Sequence, residues 1–222
     1  MSPTQTSAVA SIEIPAKRAL NFMLVYIIFI YAPFTVALLN SGHDVWRDSL
    51  SGIGWQHGGL RWFFGYGILA LPFVTWQGLF NAKFNPDNRR LIVHPLIAGC
   101  VIIGVGMFFP DPGYGPSQWT HCAFDDTGST IAMLAVTATV VQYCRSPKWA
   151  KRRRVGLGLT YGACIPVVVW VIITQGPVAA FEVLLTLGSM LALYFVNKWT
   201  SQPRQQLSAT SSTQPAVSAE FH

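Results

Sequence analysis

The chain has 222 residues, of which 51% are hydrophobic and only 11% charged, with a mean hydropathy of +0.39. That balance excludes an ordinary soluble domain. The formal charge of +6 does not point to nucleic acid, because nearly all the basic excess sits in short segments between apolar runs.

Six apolar stretches follow one another: Leu20–Leu39, Leu60–Phe80, Leu91–Phe109, His121–Tyr143, Val155–Thr174 and Val178–Trp199. Each has about 20 residues, the length a helix needs to cross ~30 Å of hydrocarbon. The first is too long for a signal-peptide core and is followed by no small-x-small cleavage site, so it reads as an uncleaved span. The expected fold is all-α, a polytopic membrane protein built as a six-transmembrane-helix bundle. Residues 1–18 form a polar N-terminal segment, 19–200 the membrane domain, and 201–222 a Ser/Thr/Gln/Pro-rich tail with the composition of disorder.

Charge fixes the expected orientation. One side carries Lys17, Arg18, Lys83, Arg89, Arg90, Arg145, Lys148, Lys151, Arg152, Arg153, Arg154, Lys198 and Arg204; the other carries only Arg47 and Arg61. The positive-inside rule then puts both termini in the cytoplasm. The run Arg145–Arg154 is read as a topology device with some attraction for anionic lipid headgroups.

Glycines in the second (Gly65, Gly67, Gly78), third (Gly99, Gly104, Gly106) and fifth (Gly156, Gly158, Gly162) spans allow close helix approach in lipid. Pro72 and Pro166 fall mid-span, where kinks are expected. Trp62, Trp119, Trp149 and Trp199 sit at span ends, as interfacial anchors do. Cys100 and Cys164 lie within spans, Cys144 at an inner end and Cys122 near the outer surface, so no disulfide framework is expected.

Proton-transfer and ligand groups concentrate on the outer side: Asp44, Asp48, Asp111, Asp125, Asp126 and Glu182, with His43, His57 and His121. Three pieces are weighed there. In Ser41–Asp48, Asp44 and Asp48 flank Arg47 and suit a local ion pair; alternatively His43 and Asp48 face a pocket. Phe109–Gly113 reads as a rigid turn with Asp111 bonding its backbone. In the third piece His121, Asp125 and Ser129 recur at intervals of four on one helix face. Helix-end stabilisation explains these acids without chemistry. Equally, ionisable groups at membrane depth are costly and point into a bundle.

Asp125 and Glu182 fall at similar expected depth, about 9–12 Å below the outer surface. His121, Asp125 and Glu182 are therefore expected to converge beneath a lid formed by residues 43–57. No metal is called for; were one bound, His43, His57, His121 and Asp125 supply enough ligands but lack the spacing of a known zinc motif. Haem between His57 and His121 is a poorer option, since both lie at helix ends. No cofactor follows from the sequence.

Several features together resemble a known group. Ser-Leu-Ser-Gly (Ser49–Gly52) precedes a glycine-rich second span, Phe109-Pro110-Asp111 closes the third, His121 opens the fourth with Asp125 following, and Gly176 precedes the last. In order and spacing, over roughly residues 20–197, the chain is similar to the bacterial six-helix membrane proteins called domain of unknown function 998. It more distantly resembles the eukaryotic Frag1/DRAM/Sfk1 group. The resemblance implies a fold and a location rather than a reaction. Two functions are expected from the outer groups: binding of a lipid or other amphiphile, or support of a membrane-protein partner, in an outward-facing polar pocket. The alternative is an intramembrane hydrolase, with or without a metal, that uses the outer His and Asp groups on a lipid-like substrate at the outer face. Ser49 and Ser51 lack a nucleophile-elbow context.

Overall fold

The computed structural model describes residues 16–41, 44–84, 89–111, 115–146, 149–162, 166, 169 and 179–201. Outside them lie most of the N-terminal segment, His43, Pro112, Gly113, Lys148, Cys164, the Thr174–Pro177 turn with Gly176, and the tail beyond residue 201.

The described residues are helical and contain no strand. In chain order we name α1 (Ala16–Leu39), α2 (Leu50–Trp55), α3 (Leu60–Phe84), α4 (His94–Gly106), α5 (Pro116–Arg145), α6 (Lys151–Gly162) and α7 (Ala179–Thr200). Four of them, α1, α3, α5 and α7, are long and apolar enough to cross a membrane; α4 is a shorter apolar helix.

Proline shapes two of the starts. A π-helical stretch at Ile27–Tyr31 runs directly into Pro33 within α1, and another at Arg89–Val93 leads into Pro95 of α4. A proline removes one i→i−4 bond and pushes its ring at the carbonyl four residues back; a widened turn relieves that clash. By contrast α3 continues helically through Pro72. Pro116 opens α5 after Gly115, whose φ of +83° suits a residue without a Cβ. That start lies five residues ahead of the expected His121, so His121 sits in the second turn rather than at the helix entrance.

Side-chain contacts set the packing directions. Tyr26 stacks on Phe73 and its hydroxyl donates to Leu69 O at 2.9 Å, while Phe34 meets Trp62, so α1 runs antiparallel to α3. Leu96 lies against Gly78 and Met107 against Gly67, which makes α4 antiparallel to α3 as well. Both α5 and α7 run parallel to α3: Tyr143 stacks on Trp199, and α3–α7 bonds keep one register from Tyr66/Thr186 to Asn81/Asn197. Lys17, Lys83, Arg145, Lys151 and Lys198 consequently share one end of the bundle, the basic end. Asp44, Asp48, Asp111 and Glu182 share the other, the acidic end.

The most extensively packed pair is α4–α5. A Cβ on Gly99 would lie 2.7 Å from the Ala132 nitrogen and the Gly128 oxygen, so only glycine permits this backbone approach. The fifth-span glycines differ: nothing lies within 4 Å of a Cβ at Gly156 or Gly162, so among the described residues they serve no close crossing.

Buried apolar side chains form two clusters. The larger, toward the basic end, includes Met23, Phe73, Leu96, Val136, Met190 and Leu193; the smaller, toward the acidic end, includes Leu38, Val45, Ile53, Phe63, Met107 and Val183. Between α3 and α7 runs a ladder of buried amides. Gln77 donates to Met190 O at 3.1 Å, Asn81 donates to Asn197 Oδ1 at 2.9 Å, and Asn197 donates to Gln77 O at 3.1 Å.

Candidate functional site

The segment between α1 and α3 is stitched onto the start of α7. Ala179 N–H donates to Asp48 O at 2.8 Å and Ala180 N–H to Val45 O at 3.0 Å, which satisfies two of the amides that a helix start leaves open. Val45 is buried in the smaller cluster. Ser49 caps α2, its Oγ accepting from Gly52 N at 3.0 Å. The Ser51 hydroxyl donates to Asp111 Oδ2 at 2.8 Å, and Leu50 N–H donates to Glu182 Oε2 at 3.2 Å. The first turn of α2 is thus held between two carboxylates that arrive from the chain after α4 and from the opening turn of α7. Both meet the partial positive charge of a helix start.

Beneath this latch lies a cavity of about 420 Å³ between α3, α4, α5 and α7. Toward the acidic end its wall carries Asp125, Asp126, Ser129, Glu182, Tyr66 and Ser51. Toward the basic end it is mostly apolar, with Val74, Leu96, Cys100 and Val136 beside Ser189. From Asp125 to Val136 the wall runs eleven residues of α5, ~16 Å at ~1.5 Å per residue. The polar end is fixed by Tyr66, whose hydroxyl reaches both Thr186 Oγ1 and Glu182 O.

The residues singled out from sequence divide into three groups. Asp125, Ser129 and Glu182 meet at the cavity. His121 does not join them. Its Nδ1 lies 2.9 Å from Phe109 O and 3.1 Å from Gly106 O; two carbonyl acceptors require that nitrogen to carry the proton, so the ring closes the C-terminus of α4. The ring is 1% exposed, rests against Phe63, and among the described residues leaves Nε2 without a partner. Asp111 is 4% exposed and accepts a hydrogen bond from Ser51 across the bundle end.

At the acidic-end surface His57 Nε2 lies 3.6 Å from Asp48 Oδ2, and Arg47 pairs with Asp44 at 3.4 Å in the open. His43 lies outside the described residues, so the proposed lid is described only over residues 44–57. Among the described residues no three His, Cys, Asp or Glu gather as metal ligands. Cys100, Cys122 and Cys144 are free thiols.

Sequence reasoning passed over Tyr66, Thr186 and the amides Gln77, Asn81 and Asn197. Gln77 and Asn81 stand four apart inside an apolar run, a spacing that puts two amides on one helix face. That signal was available.

No family model, no curated protein and no solved structure matches this chain.

Proposed function

We propose that this is a six-span integral protein of a bacterial inner membrane, with both termini cytoplasmic, whose outward-facing pocket binds a lipid or another amphiphile. The observation that carries the reading is the cavity itself, with carboxylates and hydroxyls at one end and apolar side chains along the rest. An amphiphile has the same division. The gathering of Lys and Arg at one end of the bundle supports the orientation. The resemblance to domain of unknown function 998 agrees with six spans, of which α4 and α6 with the residues after it would supply the third and fifth.

The hydrolase reading draws on one contact, Ser51 bonded to Asp111 at the cavity wall. It is the weaker of the two. Among the described residues the hydrogen bonds of Ser49 and Ser51 go to each other, to Gly52 N and to Asp111, with no histidine placed to take a proton from a nucleophile.

Lipid extraction and mass spectrometry on the protein purified in mild detergent test the proposal. An amphiphile bound in fixed stoichiometry is expected, and Val136→Phe, which fills the apolar end, is expected to expel it while the protein stays folded. Wild-type protein that retains no such molecule, and binds none saturably when titrated, would refute the reading.

A further inference from the structure

Three carboxylates line the cavity, and among the described residues no Lys, Arg or His lines it with them. Among the described residues no hydrogen bond holds the Asp125 carboxylate; the one group of opposite charge type near it is His121, a turn earlier on α5 and outside the cavity lining. Glu182 uses Oε2 for Leu50 N–H and leaves Oε1 without a partner among them. Carboxylates at membrane depth without counter-charge are costly, and such groups point at the species a membrane protein handles.

A second, independent feature lies at the same end. Phe63, Tyr66 and Phe181 contribute aromatic rings to the wall. Carboxylates together with aromatic faces are the surroundings that recognise an ammonium group, one by charge and hydrogen bonding, the other through the ring quadrupole. An anionic head would face three carboxylates with no basic side chain among the described lining residues to offset them. A neutral head would leave the carboxylates uncompensated. Beyond the head, the apolar wall takes a chain. At about 420 Å³ the volume falls near the lower end of the range for drug-sized ligands, which suits one chain rather than two.

We infer that the ligand is a cationic amphiphile, an ammonium head on a single alkyl chain, with the head between Asp125 and Glu182 and the chain toward Leu96 and Val136. The inference rests on the proposal that the cavity takes an amphiphile and adds its charge. The ammonium donors have acceptors in Asp125 and in Glu182 Oε1, and the latch from Leu50 to Glu182 Oε2 remains in place.

The test compares probes that share one chain: dodecylamine, dodecanol and dodecanoate, titrated by calorimetry into the protein in phosphatidylcholine nanodiscs, with empty nanodiscs subtracted. Dodecylamine is expected to bind at least tenfold more tightly than dodecanol, roughly the worth of one hydrogen bond to a charged group. Asp125→Asn is expected to remove most of that preference. Glu182→Gln is expected to act the same way, keeping an oxygen for Leu50 N–H. Should that variant fail to fold, Asp125→Asn decides alone, since among the described residues no hydrogen bond depends on its carboxylate. Equal binding of amine and alcohol, or a preference for dodecanoate, would overturn the inference while leaving an amphiphile site standing. A preference that survives Asp125→Asn in full would overturn the assigned head position. Binding of none of the three would overturn the inference and the proposed function together.

Discussion

The crossing of α4 and α5 at Gly99 and Gly128 gives the sharpest test of the packing. A Cβ added at Gly99 would sit 2.7 Å from the Ala132 nitrogen and the Gly128 oxygen, and one at Gly128 would sit 2.8 Å from the Gly99 oxygen and the Ile103 nitrogen. All four are backbone atoms and cannot rotate aside. Ordinary contact begins near 3.4 Å, so Gly99→Ala must part the helices by roughly 0.7 Å along that line. Overpacking of this kind costs about 1–3 kcal/mol, offset by about 1 kcal/mol of helix propensity gained. Gly156→Ala gains the propensity alone, because nothing lies within 4 Å of its Cβ. The two variants should differ by about 2 kcal/mol, close to thirtyfold in the ratio of folded to unfolded protein. Unfolding in mixed micelles with increasing sodium dodecyl sulfate, followed by tryptophan fluorescence, measures the difference. The double variant should cost less than the sum of the two, since once the helices have parted the second Cβ enters space already made. Equal stability of Gly99→Ala and Gly156→Ala would refute the argument.

Other outcomes follow from contacts already described. Asn197→Leu breaks two interhelical bonds worth about 0.6–1.7 kcal/mol each in a membrane, so unfolding should ease by about 1–3 kcal/mol; a cycle with Asn81→Leu should show coupling. Ser51→Ala leaves Asp111 buried without that donor and should cost about 1–3 kcal/mol in the same assay. Reporter fusions after Lys83 and Arg204 should be active as cytoplasmic fusions, and one at Gly54 should report the outer compartment; the reverse at Gly54 would undo the outward assignment of the cavity. Arg153→Gln, whose guanidinium lies over Trp199, should leave insertion intact, because one basic residue near the surface contributes about 1 kcal/mol.

How much of this was legible in the sequence depended on the kind of signal. Helices α1, α3 and α7 match their apolar runs to within about four residues, because twenty consecutive apolar residues admit few alternatives. The third span shrank to thirteen helical residues in α4, since the run Leu91–Phe109 includes a π turn ahead of Pro95 and a turn after Gly106. The shared depth of Asp125 and Glu182 came from counting along two helices. The turning aside of His121 did not: which way a ring swings depends on two carbonyls exposed by another helix's end. Ser51 and Asp111 are sixty residues apart, and no periodicity links them.

The amide ladder also carries information about time. Its two sides are 113 to 120 residues apart in the chain, and α3 and α7 are parallel, so no hairpin can bring them together. During synthesis Gln77 and Asn81 enter the membrane while their partners have yet to be made, since a chain folds from its N-terminal part onward. Completion of the bundle waits for α7, which closes the ladder and, through Ala179 and Ala180, pulls the segment after α1 onto its start. A chain ending before α7 would leave both amides without these partners.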